Sequence, residues 1–155
     1  MSRLSASTRW KPCPEHEESG EYDSYLVNQK FPKQAFSHGY NSPWLNELCG
    51  RDEYAYKVLI NSQTAEKKGI KDGDEVWIES VAGRVKGIVK VTELVHPEVI
   101  GTLGQAGHWA KNMPVAKGKG VHTNTLIPYV FSRIDKMSAN LDACVKVKVY
   151  KEESK

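Results

Sequence analysis

Residues 57–95 read KVLINSQTAEKKGIKDGDEVWIESVAGRVKGIVKVTELV, and the order of strand, helix and turn residues in this run decides the fold class. The apolar run Val58–Ile60 predicts a short strand. Asn61 and Ser62 follow it, and either side chain can cap the free amides at the start of a helix. A helix is predicted over residues 63–68, and it ends at Gly69, because glycine readily adopts the left-handed conformation that closes a helix.

Two further strands are predicted in the same run. Residues 71–74, KDGD, have the composition of a tight turn. Apolar and polar residues then alternate over 75–79 and again over 85–91, with a turn at residues 82–83 between them. The run therefore predicts a compact β unit with one small helix, in which the glycines serve the backbone and not a ligand.

Length and composition indicate a single globular domain of 155 residues, with ordinary apolar and charged fractions of 39% and 26%. The net charge of +3 is spread among interspersed acidic and basic residues, unlike the basic stripe of a nucleic-acid binder. Cys13, Cys49 and Cys144 have no CxxC spacing, so they indicate neither a disulfide framework nor a zinc site. No run approaches the roughly 20 apolar residues that span a bilayer, and residues 1–24 lack the apolar core of a secretory signal.

Strands are also predicted on both sides of the central run. Residues 22–28 predict a first strand, and residues 144–151, CVKVKVYK, predict a last one with valines on one face. Six or seven strands joined by glycine-rich turns, with at most three short helices, favour a closed β-barrel over a doubly wound sheet. The predicted organisation is an extended or disordered arm over 1–20, a barrel domain over 21–151 and a tail over 152–155.

The loop over residues 31–50 mixes aromatic residues with His38, Asn41 and Ser42, and it ends in a short helix predicted over 44–48. Its polar groups need partners if the loop is to be ordered. A ligand loop would use such side chains for polar atoms and an aromatic residue to cover a ring. Composition favours neither this interpretation nor that of a solvated connection.

The loop over residues 101–128 holds the densest glycines of the chain, with His108, Trp109, His122 and Asn124 among them. Glycines let the backbone approach a ligand closely, and interleaved polar side chains fit a phosphate or heterocycle site. By contrast, residues 130–142 are polar and irregular, and they carry no recognisable motif.

Several familiar motifs are excluded by spacing. The glycines at 101, 104 and 107 lack the GxGxxG spacing of a dinucleotide fingerprint, and residues 118–120 are not a P-loop. Residues 72–74 lack the ligand ladder of an EF-hand, and no histidine or cysteine pair has metal-site spacing. No nucleophile or general-base motif is present, so the chain is expected to bind and not to catalyse on its own.

Residues 60–92 resemble the C-terminal dinucleotide-binding domain of molybdopterin oxidoreductases, the dimethyl-sulfoxide-reductase superfamily. The shared pattern is N-x-x-x-A-x-x-x-G-I-x-x-G-D-x-V followed by a strand, a glycine and another strand. The residues in register are Asn61, Ala65, Gly69, Ile70, Gly73, Asp74, Val76 and Gly83. Residues 104–109, GQAGHW, resemble the Gly-His-Trp element of the thiosulfate and polysulfide reductase branch, and residues 120–126 are similar to the family's G-x-x-x-N-x-L loop. The resemblance extends over about residues 22–151.

The resemblance implies a six-stranded double-psi β-barrel with a few short helices that binds bis-(molybdopterin guanine dinucleotide). In the family this domain does not ligate the molybdenum or tungsten, which a larger catalytic chain holds. That large molybdopterin-binding subunit is the implied partner, with an iron–sulfur electron-transfer subunit as a further one and no role for nucleic acid or direct membrane insertion. A separate subunit and an excised domain are both compatible with this sequence.

The resemblance also assigns the ligand-facing residues to the two loops. Backbone amides around Gly104, Gly107 and His108 are expected to meet the pyrophosphate or the pterin edge, and Lys117 and Lys119 could add charge. Thr123 and Asn124 offer donors and acceptors for a heterocycle, and Trp44 is expected to fill the core more than to stack on a ring. The complete predicted set is His38, Asn41, Ser42, Gly104, Gly107, His108, Trp109, His122, Thr123 and Asn124, with no catalytic residue and no metal ligand.

Two alternatives remain open at this point. One is the small barrel subunit of formylmethanofuran dehydrogenase, and the other is a non-catalytic double-psi barrel for protein interaction. The cytoplasm is the expected compartment, and export together with a signal-bearing partner also stays open.

Overall fold

The computed structural model describes residues 20–34 and 39–152, and these form a closed β-barrel of six strands with a few short helices. The strands are β1 Ser24–Gln29, β2 Val58–Ile60, β3 Glu75–Glu79, β4 Arg84–Val91, β5 Val99–Leu103 and β6 Lys146–Tyr150. The helices are α1 Pro43–Gly50 and α2 Ser62–Lys67, with 3₁₀ turns at Thr123–Leu126 and Phe131–Arg133. The predicted mainly-β barrel is confirmed.

The strands close in the order β1-β5-β2-β4-β3-β6. Two neighbouring pairs are parallel, β1 with β5 and β2 with β4, and the other four are antiparallel. Strands β1 and β2 are not neighbours in this order, and neither are β5 and β6, so the chain must cross the barrel to connect them. These two crossovers contain the two polar loops of the sequence. Residues 30–57 join β1 to β2, and residues 104–145 join β5 to β6.

The central unit forms as its local sequence predicts. The Asn61 side chain accepts a hydrogen bond from the backbone N–H of Gln63 at 3.0 Å and caps α2. Gly69 ends the helix at φ +63°, and the backbone N–H of Ile70 reaches back to the carbonyl of Ala65 at 2.8 Å. Gly73 also has a positive φ, +84°, in the turn before β3. These glycines therefore serve backbone geometry.

The barrel interior is filled by branched aliphatic side chains contributed by every strand after β1. Those with less than 2% exposure include Val58, Ile60, Val76, Ile78, Val89, Ile100 and Val147. A second, smaller cluster lies outside the barrel and joins the two crossovers through Tyr40, Leu103, Ala106 and Ala116. This second cluster positions the candidate site.

The exposure of Trp44 on helix α1 differs from the prediction made from the sequence. Trp44 is 79% exposed, so the prediction that it fills the core is wrong. Leu48, one turn later, is 51% exposed, while Asn46 and Cys49 on the other face are buried. Because the helix is only eight residues long, its buried face is small and includes a polar side chain, so periodicity could not identify it.

Three further observations complete the fold. Cys49 and Cys144 are free thiols, and Cys13 lies outside the described residues, as do most of the arm predicted over 1–20 and most of the tail over 152–155. In the part of the chain that the structure describes, no helix has the length and apolar character needed to cross a membrane.

Candidate functional site

Gly104 begins the glycine-rich crossover directly after β5. Its backbone N–H donates to the carbonyl of Gln29 at 2.7 Å, and its own carbonyl accepts from the Tyr40 hydroxyl at 2.7 Å. A Cβ at this position would lie 2.5 Å from Oδ1 of Asn28. A side chain here would therefore displace the Asn28 side chain at the end of β1.

Gly107 makes a second close backbone approach. Its φ is +75°, its N–H donates to the carbonyl of Lys119 at 2.8 Å, and a Cβ would lie 2.1 Å from the backbone nitrogen of His122. The expectation that the amides of Gly104 and Gly107 donate to an anion needs correction, because both already donate to backbone carbonyls. These two glycines therefore shape the loop.

The ring of His108 lies beside that of Tyr40, with 6.0 Å between the two centroids. Its Nε2 is buried and has no hydrogen-bond partner among the described residues. Buried polar atoms are nearly always satisfied, and an exception asks for an explanation such as an absent ligand. His108 is thus the predicted site residue with the clearest unmet bonding capacity.

Trp109 and His122 form an edge-to-face pair with ring centroids 4.3 Å apart. Trp109 remains 68% exposed, whereas His122 is half-buried and its Nδ1 lies 2.8 Å from the Thr125 hydroxyl. Burial lowers the pKa of His122, and the neighbouring His108 lowers it further. A neutral imidazole next to an exposed indole is a surface suited to a flat, polar ring.

The side chains of Thr123 and Asn124 do not face the same surroundings. Thr123 is buried, and its hydroxyl lies 3.3 Å from that of Thr102 on β5. Asn124 is exposed on the same 3₁₀ turn. Thr123 therefore anchors the turn to the barrel, and Asn124 is the one of the two that is free to meet a ligand.

The first crossover contributes Asn41 and Ser42. Asn41 Oδ1 accepts from the backbone N–H of Val115 at 3.1 Å and so ties this crossover to the glycine-rich one. Ser42 precedes α1 at the N-cap position but makes no side-chain cap bond. His38 lies outside the described residues.

Three polar residues that sequence reasoning missed, Gln34, Asn46 and Tyr56, form a network with Lys119 between the crossovers. The Gln34 amide N–H donates to the Tyr56 hydroxyl at 3.1 Å, which donates to Asn46 Oδ1 at 2.9 Å. Lys119 Nζ donates to the same oxygen at 2.7 Å. Tyr56 has φ +61°, an uncommon conformation for a non-glycine residue. The only signal in the sequence was the concentration of amide and aromatic residues in residues 31–50.

A cleft of about 670 Å³ opens beside this network, where β1 ends against Gly104. Its volume is in the range of small-molecule sites. It is lined by Asn28, Gln29, Lys30, Phe31, Pro32, Gln34, Tyr40, Gly104 and Gln105. Tyr40 lines the cleft, and its ring is the one that lies beside His108. Among the described residues no group of three or more His, Cys, Asp and Glu could hold a metal ion.

Comparison with known protein families identifies the family of this domain. Residues 25–143 match the family described as the molydopterin dinucleotide binding domain. The chain belongs to this family. The recognised motifs in residues 60–92 and 104–126 both fall within the matched range, so the resemblance stated from them is confirmed. Neither alternative, the formylmethanofuran dehydrogenase subunit or the interaction barrel, is favoured by the matches.

Individual relatives of this molybdopterin-binding domain are much longer proteins. The chain is 36% identical over 114 residues to the thiosulfate reductase molybdopterin-containing subunit PhsA of Salmonella typhimurium, covering 74% of this chain and 14% of that one. It is 30% identical over 131 residues to the arsenate respiratory reductase molybdopterin-containing subunit ArrA of a Shewanella species, covering 79% of this chain and 15% of that one. Among solved structures, acetylene hydratase from Pelobacter acetylenicus has the same fold, with a TM-score of 0.64 and 16% identity over 84% of this chain and 18% of that one.

Proposed function

We propose that this domain completes the binding site of a bis-(molybdopterin guanine dinucleotide) cofactor whose molybdenum or tungsten is held by a larger catalytic chain. The observation that carries the proposal is the buried, unpartnered Nε2 of His108 in the crossover that the family match covers. A polar group of the cofactor would satisfy that nitrogen. Gly104 and Gly107 let this crossover pack closely against Asn28 and the backbone of His122, which fixes where His108 lies.

The residues present fit such a group. His108, Trp109, His122 and Asn124 lie on neighbouring turns of one crossover and offer a ring surface, imidazole nitrogens and an amide. Gly104 and Gly107 set the shape of that crossover, while Asn41 and Thr123 tie it to its surroundings. Ser42 and His38 are proposed to form the facing side, as the resemblance implies. The cofactor supplies the metal-centred redox chemistry when bound, and this chain supplies binding and orientation.

The proposed partner is the remainder of a molybdopterin-containing oxidoreductase. The chain spans only 14% and 15% of the length of two relatives, which are named as molybdopterin-containing subunits of reductases. Both relatives reduce inorganic compounds by their names, thiosulfate and arsenate. We therefore propose that the complete enzyme transfers electrons, oxygen or sulfur to an inorganic substrate.

The test is the pterin content of the assembled, purified protein that contains this domain. Removing two ligand-facing groups, His108→Ala with Asn124→Ala, is expected to weaken cofactor retention about tenfold, the loss of one to two hydrogen bonds. The matched control, His96→Ala with Asn140→Ala, removes the same types of side chain at exposed positions outside residues 104–126 and is expected to retain the wild-type content. An unchanged pterin content in the first variant would contradict the site assignment.

A further inference from the structure

The second crossover contains a loop, residues 129–142, whose path is fixed without an apolar core. None of its residues is buried. The backbone N–H of Asp142 donates to the carbonyl of Arg133 at 2.8 Å, and the backbone N–H of Asp135 donates to the carbonyl of Asn140 at 2.9 Å. These two bonds join the outgoing and returning halves of the loop. Main-chain hydrogen bonds, and not apolar packing, therefore hold the 129–142 loop.

Two charged side chains fix the loop further. Asp135 Oδ1 accepts from the backbone N–H groups of Met137 at 3.1 Å and of Ser138 at 2.7 Å. At the other end, the Arg133 guanidinium donates to two backbone carbonyls of the returning half. The loop thus holds its side chains in one arrangement before any partner arrives, which lowers the entropy cost of an interaction.

Four large apolar side chains of this loop are exposed. The exposed fractions are 77% for Tyr129, 46% for Val130, 88% for Phe131 and 78% for Met137. Val130 has an extended backbone, with φ −131° and ψ 145°, so its side chain points away from those of its two neighbours. Since all three are exposed, neither side of this stretch packs against the described part of the domain. A concentration of exposed apolar side chains on an ordered segment indicates an interaction surface.

The charge of the loop argues against a membrane as the occupant of this surface. Arg133 and Lys136 are balanced by Asp135 and Asp142, so residues 129–142 carry no net charge. Segments that lie on membranes combine an apolar face with an excess of basic residues that attract anionic head groups. The loop has the apolar part alone, which favours a protein surface.

The size of the surface argues against a second copy of this chain. Two aromatic side chains bury about 300–500 Å² between them when covered. A stable complex of two free proteins covers about 800 Å² on each partner. Contacts between domains of one larger protein cover about 600–1,500 Å² in total. The surface formed by Tyr129, Val130, Phe131 and Met137 therefore matches a contact within a larger protein and is too small to hold a dimer by itself.

The position of the loop and the length of the relatives indicate which larger protein this is. Only Ile127 and Pro128 separate the loop from the turn Thr123–Leu126 of the candidate site. The chain spans 14% and 15% of two molybdopterin-containing relatives, so most of such a protein lies outside this domain.

We infer that Tyr129, Val130, Phe131 and Met137 form a docking surface that inserts into an apolar recess of the larger catalytic chain. This inference rests on the proposed function, which supplies the larger chain as the partner. The loop supplies contact and holds the second crossover in place against that chain, and it takes no part in binding a ligand.

The experiment is hydroxyl-radical footprinting, which labels side chains according to their accessibility. Labelling of Tyr129, Phe131 and Met137 is compared between the isolated 155-residue chain and the assembled, purified protein that contains this domain. In the assembled protein it is expected to fall about fivefold or more, because side chains at the centre of a well-packed contact lose their water. Equal labelling in the two samples overturns the inference.

Phe131→Asp tests the contact itself, because a carboxylate is costly in an apolar recess but not in water. In the isolated chain the urea-unfolding midpoint is expected to stay the same, since Phe131 is exposed. In the assembled protein, labelling of Tyr129 and Met137 is expected to rise to the level of the isolated chain. Leu94→Asp, at a 70% exposed position outside both crossovers, is the matched control and should leave that labelling unchanged. Continued protection of Tyr129 in the Phe131→Asp variant would contradict the proposal.

Two further titrations test the other occupants. Labelling that falls as the concentration of the isolated chain rises assigns the surface to a second copy. Labelling that falls when vesicles of phosphatidylcholine and phosphatidylglycerol are added assigns it to a membrane. Either result overturns the inference.

The proposed function is judged separately, by pterin content. If pterin content depends on His108 and Asn124 while the 129–142 loop is labelled equally in both samples, that function stands and the docking surface falls. If the loop is protected while pterin content does not depend on those two residues, the docking surface stands and the assignment of the cofactor site falls.

Discussion

A Cβ atom on Gly107 would lie 2.1 Å from the backbone nitrogen of His122, closer than any real contact allows. The obstacle is backbone, so no side-chain rotation can relieve it. Two turns of the glycine-rich crossover are therefore packed main chain against main chain, and this contact places His108 and His122 side by side. The glycine is required by space as well as by its φ of +75°.

Gly107→Ala is expected to destabilise the domain by about 3 kcal/mol or more, combining the cost of a left-handed alanine with displacement of the 121–122 backbone. Gly118→Ala is the matched control, since Gly118 has nearly the same φ, +72°, but nothing within 4 Å of its Cβ position. It is expected to cost only about 1–2 kcal/mol. Equilibrium urea unfolding of both variants measures the difference, and equal losses would show that conformation alone explains Gly107.

Asn61→Ala tests the start of helix α2. Asn61 caps the helix at Gln63 and also donates to the Val95 carbonyl at 2.8 Å, and it is 3% exposed. The substitution is expected to cost about 2 kcal/mol, because it removes a cap and leaves a buried carbonyl without its donor. Ser62→Ala, at the next position, is expected to change the free energy of unfolding by less than about 0.5 kcal/mol. A larger loss of stability from Ser62→Ala than from Asn61→Ala would show that Ser62, and not Asn61, caps the helix.

The central β unit could be predicted because its signals are local. The Asn61 cap, the Gly69 helix end and the turn at residues 71–74 each depend on groups within a few positions of one another. Alternating side chains predict β3 and β4 in the same way, since a strand with one buried face repeats every two residues. The order of these local elements is what identified the barrel.

The candidate site was only partly predictable because its contacts are not local. The two crossovers could be selected from their glycine, histidine and asparagine content. The network within them could not, because Asn46 is 12 positions from Gln34 and 73 positions from Lys119 in the sequence, and such spacings carry no signal. The positive φ of Tyr56 has no sequence signature either, since it is enforced by tertiary contacts. The exposure of Trp44 was missed for the same reason, because burial of a two-turn helix depends on what packs against it.

The protein is expected to lose stability at alkaline pH because the hydroxyl of Tyr40 is buried. Burial raises the pKa of Tyr40 to about 12, and the nearby Tyr56 and Cys49 also raise it. Between the unfolded value of 10.0 and this value the folded state retains a proton that the unfolded chain releases, so stability falls as pH rises. The expected loss is about 1 kcal/mol between about pH 8 and about pH 11. Urea unfolding at both pH values should show it in wild type, and Tyr40→Phe should remove this part of the dependence.

The protein is also expected to lose stability as the pH falls, because His122 is partly buried. Burial lowers the pKa of His122 below its ordinary value of 6.5, and the neighbouring His108 lowers it further. The unfolded chain then binds a proton before the folded one does, so the contribution of His122 is present above about pH 6.5 and is lost as pH falls below it. Proton NMR titration should give His122 a midpoint below that of an unfolded peptide, and His122→Gln should flatten the fall in stability between about pH 7 and about pH 5. His96→Gln, an exposed histidine outside both crossovers, should leave the His122 titration unchanged. A His122 midpoint at or above the peptide value would mean that its ring is not packed against Trp109 and His108 as the fold requires.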